Sequence, residues 1–451
     1  MAARQDSDGL ALDRSDEIWE DATKQIEAFA TRLFGKPATL VPPLVIGGFN
    51  VLYPLRINGL PKLLARLPCP GQAVFPEEKT VTEASTAACI SQRTAVPIPR
   101  LFGYGNDPDV GPYMIIQDLD PDEAPRKDPN DTPILRPDIP EDQLQSLYAK
   151  LAGCMLQLAQ PTFPRIGALV ETSLGSYEVL ERPFSLNMNN MVQLSNIPPS
   201  VFPSRGSTYG TADEWYTVLA EMHMATLLFQ HNDMVSSTYD CRNKYVARQI
   251  FRRLAPPDKV DSFRLWSDDF RPTNVLVDDK DDILGAIDWE YAYVGPAQFV
   301  LDPPWWLLLD VPEMWDDGID DWARVYEGRL QTWLAAMEEV EGVAEPGSLL
   351  LSAYMRESWA TGRFWLNYAA RKSWAFDTIY WKYLDEKFFG QRDSNIPAGE
   401  LWKTRVELLT EEERAAMEVM VDVKMEESRN RVLVEWDPVE AKERLCSFLF
   451  D

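Results

Sequence analysis

The chain has 451 residues, with 71 acidic and 44 basic side chains and a formal net charge of −27. A single hydrophobic core stops growing near ~250–300 residues, so two lobes are expected, and so acidic a surface sets nucleic acid aside as a partner. No apolar run approaches the ~20 residues that span a bilayer. The opening stretch MAARQDSDGLALDRSDEIWED has neither a signal-peptide core nor the charge of a presequence, so no membrane and a cytoplasmic location are expected. The five cysteines, Cys69, Cys89, Cys154, Cys241 and Cys446, are scattered and odd in number, which suits reduced thiols. Two histidines, His223 and His231, exclude a histidine-rich zinc site, and no G-x-S-x-G elbow exists. Chemistry is left to carboxylates, amides, cations and a metal ion.

Apolar residues recur at helical spacing over 16–34 (Ile18, Ala22, Ile26, Phe29, Leu33), and Gly35 stops the helix. Strands are expected at 40–46 and 51–57, joined through Gly47-Gly48-Phe49-Asn50, and at 62–67. Asn58-Gly59 between the last two predicts a type I′ turn. A helix at about 77–92 and an apolar strand at 112–119 complete a small antiparallel sheet with one helix. Residues 120–140 are dense in Pro and Asp and read as an exposed connection. From 141 to 451 the pattern is mainly helical, at 141–159, 212–230 and 320–340, with a capping box at Thr410–Glu413. One hairpin-like island, VLVDDKDDILGAIDWE, interrupts it. The acidic run Asp278–Asp282 lacks the glycine and terminal glutamate of an EF-hand loop and reads as a solvated turn. The tryptophans around 303–306 and 359–381 read as core.

The segment 265–290 carries the chemistry. Asp269 and Asn274 stand five residues apart, followed by the hairpin and by Asp288. Phosphoryl transfer calls for a carboxylate to take the attacking hydroxyl's proton, and for an amide oxygen and a second carboxylate to hold Mg²⁺ on the nucleotide phosphates. Asn274 and Asp288 offer such hard oxygen ligands.

SDDFRPTNVLVDDKDDILGAIDWE resembles the catalytic segment of the aminoglycoside phosphotransferase and choline kinase-like family, and within it a fungal phosphotransferase-like group. GGFNVLYPL resembles its nucleotide-loop strand, and EKTVTEASTAACISQRTAVPIPRLFGYG its small-lobe helix and following strand. The resemblance implies an α+β, bilobal, protein-kinase-like fold: a nucleotide lobe at 1–119, a connection at 120–140 and a helical lobe at 141–451. It implies ATP and Mg²⁺ as cofactors and a small-molecule hydroxyl as acceptor. By the same resemblance Asp269 is the base, Asn274 and Asp288 the metal ligands, and Glu83 the helix acid. Arg66 stands where a phosphate-binding lysine is usual. Gly47, Gly48 and Asn50 would cover the phosphates through N–H groups, and Gln117, Asp118 and Leu119 would meet adenine through the main chain. The chain departs from the family at Ser267, where histidine is common, and at Asp268, in place of glycine. A neighbouring like charge would raise one pKa of the Asp268–Asp269 pair. These departures, with Arg66, keep a second reading open: a pseudokinase that binds nucleotide or a partner without turnover. A hydrolase using Asp268 and Asp269 is disfavoured, since adjacent side chains cannot easily flank one bond. The oligomeric state stays open.

Overall fold

The computed structural model describes residues 22–119, 139–231, 234–254, 262–278, 280–342, 349–430 and 434–450. The part of the first expected helix before residue 22, and residues 120–138 of the expected connection, lie outside them.

Helix α1 (22–34) ends at Gly35, which adopts φ +65. The strand expected at 40–46 is split by Pro42-Pro43, which have no N–H to give a ladder, into β1 (Ala38–Leu40) and β2 (Val45–Ile46). Both halves pair with opposite ends of β3 (Asn50–Ile57). Strand β4 (Leu63–Pro68) follows. In the turn between β3 and β4, Leu60 N–H donates to Ile57 O and only Gly59, at φ +78, takes a positive φ. A type I′ turn needs two such residues, so the expected Asn58-Gly59 geometry is replaced by a type II-like turn.

Helix α2 (Pro76–Arg93) opens on proline with Glu77 and Glu78 in its first turn, where the helix dipole favours them. The strand β5 (Leu101–Asp107), which the resemblance places after the helix but whose alternation two glycines obscure, pairs with β6 (Gly111–Gln117). The antiparallel sheet runs β1-β3-β4-β6-β5. Its own core is small and includes Phe29, Leu55, Leu63, Ala65 and Ile115.

The rest is mainly helical around a second, larger core. The helices Glu141–Leu158, Ala212–Phe229 and Ile319–Glu341 fall where periodicity put them. The capping box at Thr410 forms: Glu413 N–H donates to Thr410 Oγ1 at 3.2 Å, and Thr410 N–H to Glu413 Oε2 at 2.7 Å. In the tryptophan-rich segments Trp305, Trp306 and Trp365 are buried, as the core reading expects, whereas Trp359 and Trp381 are half-buried and Trp374 is exposed. The hairpin Ala168–Ser173/Ser176–Glu181 was not legible beforehand. Two packed cores joined through one cleft make this a bilobal, protein-kinase-like α+β fold.

Candidate active site

The island forms the hairpin Val275–Val277/Ile283–Ala286. Ile287 N–H donates to Asn274 O at 2.9 Å, so Asn274 and the segment leading to Asp288 leave the hairpin side by side. Ala286 N–H donates to Pro97 O, and a side chain at Gly285 would meet Leu119 Cδ1 at 2.4 Å, so the hairpin is seated directly under the end of β6. Its tip is a turn in which Asp278 Oδ1 accepts from the N–H groups of Lys280 and Asp282. That agrees with a solvated acidic turn.

Preceding the hairpin, Asn274 Nδ2 donates to Asp269 Oδ2 at 3.0 Å and to Asp269 O at 2.9 Å. Arg271 Nε lies 2.8 Å from Asp269 Oδ1. Burial raises the Asp269 carboxyl to about 6, against the pull of Arg271, and the negative Asp288 adds to the rise. Asp268 is not the cause, as had been expected. It is buried and faces Arg371 Nε and Lys372 Nζ, both 3.5 Å from Oδ1. Its carbonyl accepts from Trp305 Nε1. The two adjacent carboxylates therefore serve different surroundings, and only Asp269 joins Asn274.

On the other side of the cleft, Arg66 at the end of β4 gathers three carboxylates with one nitrogen. Its Nη2 lies 3.1 Å from Glu83 Oε1, 2.5 Å from Asp288 Oδ1 and 3.3 Å from Glu290 Oε2. Burial penalises the guanidinium, but Glu83, Asp288 and Glu290 together hold its pKa above the ordinary value. Burial pushes Glu83 up to about 7 in spite of Arg66 and Lys79. Burial works the same way on Asp288, but there the Arg66 charge and hydrogen bond prevail and hold the carboxyl below its usual range. Asp288 sits at φ +64, a left-handed backbone that Asp tolerates better than most residues.

Two members of this cluster were not anticipated. Lys79, 1% exposed on α2, donates to Asn50 Oδ1 at 2.6 Å and pairs with Glu290, 3% exposed. Asn50 Nδ2 donates in turn to Glu290 Oε2 at 2.9 Å. The available signal was spacing: Lys79 stands one helical turn before Glu83, and Glu290 two residues beyond Asp288, both on the motif's margins. The small lobe is also tied to the large one by a buried fork, Arg182 Nε and Nη2 on the two oxygens of Glu78, each at 2.8 Å.

The nucleotide-loop residues fit less simply. Gly47 N–H donates to Asn50 O at 2.8 Å and so closes its own turn, and the Asn50 side chain points into the buried cluster. Among the residues expected to meet adenine, Gln117 N–H donates to Arg100 O and Asp118 N–H to Lys62 O. Leu119 N–H makes no main-chain bond among the described residues. All three line a cavity of about 230 Å³ between the lobes. It is walled by Val45, Leu52, Met114 and Leu276, with Arg66, Glu83 and Asp288 at its polar end.

The donor set suits Mg²⁺ in one way. Asn274 is held through its Nδ2, which leaves its Oδ1 available, and Asp288 adds a charged oxygen. No cluster of three or more His, Cys, Asp or Glu able to hold a metal exists among the described residues.

This cleft, with a carboxylate–amide pair on one wall and an arginine–carboxylate cluster on the other, belongs to phosphotransferase architecture. Residues 62–343 match the phosphotransferase enzyme family (APH), and the chain is a member of it. Similar solved structures include a putative fructosamine-3-kinase from Haemophilus somnus (10% identity, TM-score 0.41, 79% of this chain and 95% of that one). A putative aminoglycoside phosphotransferase from Ralstonia eutropha gives 13% identity and a TM-score of 0.38, covering 79% and 98%. A thermostable mutant of aminoglycoside phosphotransferase APH(4)-Ia, in ternary complex with AMP-PNP and hygromycin B, gives 16% and 0.40, covering 81% and 99%. At these scores the family assignment rests on the family match. No curated protein matches the sequence significantly. Among the described residues, no helix is long and apolar enough to cross a membrane.

Proposed function

We propose that the chain transfers the γ-phosphoryl group of ATP to a hydroxyl of a small molecule. The observation that carries this reading is the pairing of Asp269 with Asn274, in a segment that leads directly to Asp288 at the polar end of the interlobe cavity. Adenine would lie between the apolar walls with Leu119 N–H as its main-chain partner, because the neighbouring N–H groups are committed to the sheet. Asp269 would orient the acceptor hydroxyl and take its proton; Asn274 holds that carboxylate in place. Mg²⁺, held by Asn274 and Asp288, would neutralise the phosphate charge. Gly48 and Arg66 would steady the phosphates. Since no bond to the protein forms, rate enhancement comes from positioning and electrostatics.

A nucleotide-binding protein without turnover is the competing reading. One observation favours it: Arg66 holds the Asp288 oxygen at 2.5 Å, where a metal would have to share or displace it. Thermal shifts with ATP, ADP and GTP, each with and without Mg²⁺, test the site. An upward shift that needs Mg²⁺ is expected with ATP. ADP release across a panel of amino-sugar, amino-alcohol and sugar acceptors then separates enzyme from binder. Binding with no turnover on any acceptor would favour the second reading.

A further inference from the structure

Lys372 has no part in any role assigned so far. It is the first residue beyond the helix Arg363–Arg371, and its side chain is 15% exposed. Its Nζ lies 3.5 Å from Oδ1 of Asp268, the residue before the proposed base. It also stands 5.9 Å from the centre of the Trp305 ring, whose Nε1 donates to Asp268 O. Burial raises the carboxyls of Asp269 and Glu313, and the Lys372 charge works against that rise in both. The ammonium therefore stands among three carboxylates, yet it makes no hydrogen bond to a protein atom among the described residues. Each carboxylate is engaged elsewhere: Asp269 with Asn274 and Arg271, Glu313 with the Tyr368 hydroxyl at 3.0 Å, and Asp268 with Arg371 as well. Asp268 Oδ1 is itself buried without a hydrogen bond, so its hold on Lys372 is loose. Arg371 is buried against Trp266 and Phe299, which leaves Lys372 as the member of this pair that a ligand can reach.

We infer that Lys372 binds a carboxylate of the acceptor, so that the molecule phosphorylated is a small hydroxy acid. This rests on the kinase reading above and goes past it by fixing the acceptor's charge. An acceptor whose hydroxyl meets Asp269 must lie against the side chains around that carboxylate, and Lys372 offers three N–H donors there with no protein acceptor to take them. A mostly buried ammonium has given up water without replacing it, which is costly. An acceptor carboxylate would replace that water with short, charge-assisted hydrogen bonds. One point charge suits a monoanion: a phosphate group would bring a second negative charge beside Asp269 and Glu313. An amine placed there would meet the ammonium with a like charge. In the step itself the hydroxyl oxygen bonds to the γ-phosphorus, the bond from that phosphorus to the β–γ bridging oxygen breaks, the hydroxyl proton passes to Asp269, and ADP leaves. The carboxylate on Lys372 is unchanged throughout. Lys372 thus holds substrate and transition state alike, and its effect falls on KM.

The test is ADP release from Mg·ATP by the full chain with matched acceptors that differ in charge: glycerate, glycerol and serinol, then gluconate, glucitol and glucamine. Glycerophosphate serves as the phosphate-bearing member. In wild type the carboxylate should be the best of its set by at least about tenfold in kcat/KM. Lys372→Gln should remove at least about tenfold of that preference, chiefly through KM, and Lys372→Arg, which keeps the charge, should retain most of it. A best acceptor that is neutral, cationic or phosphate-bearing would overturn the inference and leave the kinase reading in place. So would a carboxylate preference that survives Lys372→Gln. ADP release with none of these acceptors, by a chain that binds Mg·ATP, would bring down the kinase reading itself, and this inference with it.

Discussion

Removing Lys79 is the most informative perturbation of the buried cluster. Two cations, Arg66 and Lys79, face three carboxylates, Glu83, Asp288 and Glu290, all within ion-pair distance of one another's partners. Formally one negative charge is in excess, and the rise of Glu83 to about 7 relieves part of it. Lys79→Met would leave Arg66 alone against three acids, with the Glu290 oxygen and Asn50 Oδ1 deprived of their shared donor. Breaking a buried pair by deleting one partner costs ~3–5 kcal/mol. Glu290→Gln should cost less than half as much, because it leaves equal numbers of cations and carboxylates and keeps an oxygen for Lys79. Since both act on one network, the double variant should fall short of the sum by at least about 1 kcal/mol. Urea unfolding followed by far-ultraviolet circular dichroism would measure all three. A Lys79→Met variant within about 1 kcal/mol of wild type, the reverse ranking, or additivity within ~0.5 kcal/mol would refute the charge argument.

Four other outcomes are expected. Asp288→Asn should keep the fold and weaken Mg²⁺-dependent ATP binding; unchanged calorimetry in the variant would remove Asp288 from the metal site. Once an acceptor is found, Asp269→Asn should lower turnover by about 10²–10⁴-fold. Asp268→Asn should act mainly on thermal stability, since it faces Arg371 and Lys372; the opposite ranking in kcat would move the base to Asp268. The Asp269 carboxyl is raised to about 6, so the base is ionised above that pH, and kcat should fall as pH drops through about 6. An acid limb near 4 would contradict the burial argument. Arg66→Ala should weaken ATP more than adenosine, and equal losses by calorimetry would make Arg66 a purely structural charge.

The parts of the site visible in the sequence are those carried by short local spacing. Asp269, Asn274 and Asp288 lie within one contiguous segment, and the local hairpin suffices to bring them together. Arg66 and Glu83 came from resemblance, and the structure joins them at 3.1 Å. What could not be read is which partner each polar group finds at long range. Asn50 and Glu290 are 240 positions apart, and no local pattern distinguishes a glutamate that crosses between lobes from a solvated one. The same limit hid the fate of Asp268. Its neighbour in sequence suggested a carboxylate pair, but its neighbours in space are two cations from the far end of a helix. The departures in the small lobe were local in origin: tandem prolines cut one strand in two, and two glycines hid the alternation of β5, which only the resemblance placed.

The arginine at position 66 becomes intelligible once Lys79 is included. A lysine there could present only a point charge, whereas a guanidinium divides its work between two ends. In this chain Nη2 is wholly occupied by Glu83, Asp288 and Glu290, while Arg66 also lines the cavity where phosphates would lie. One cation could not hold three buried carboxylates as anions, and here it does not have to. Lys79 shares the Glu290 Oε2 with Arg66 and is steadied by Asn50, which itself stands at the start of the strand leaving the glycine turn. The exchange of lysine for arginine is thus one part of a larger change. It comes with a second buried cation and a third carboxylate, which together link the glycine turn, the small-lobe helix and the Asp288 segment. Arg66 on its own is a poor argument for lost activity, because its positive charge still stands at the polar end of the cavity while Lys79, buried behind it, takes up Glu290.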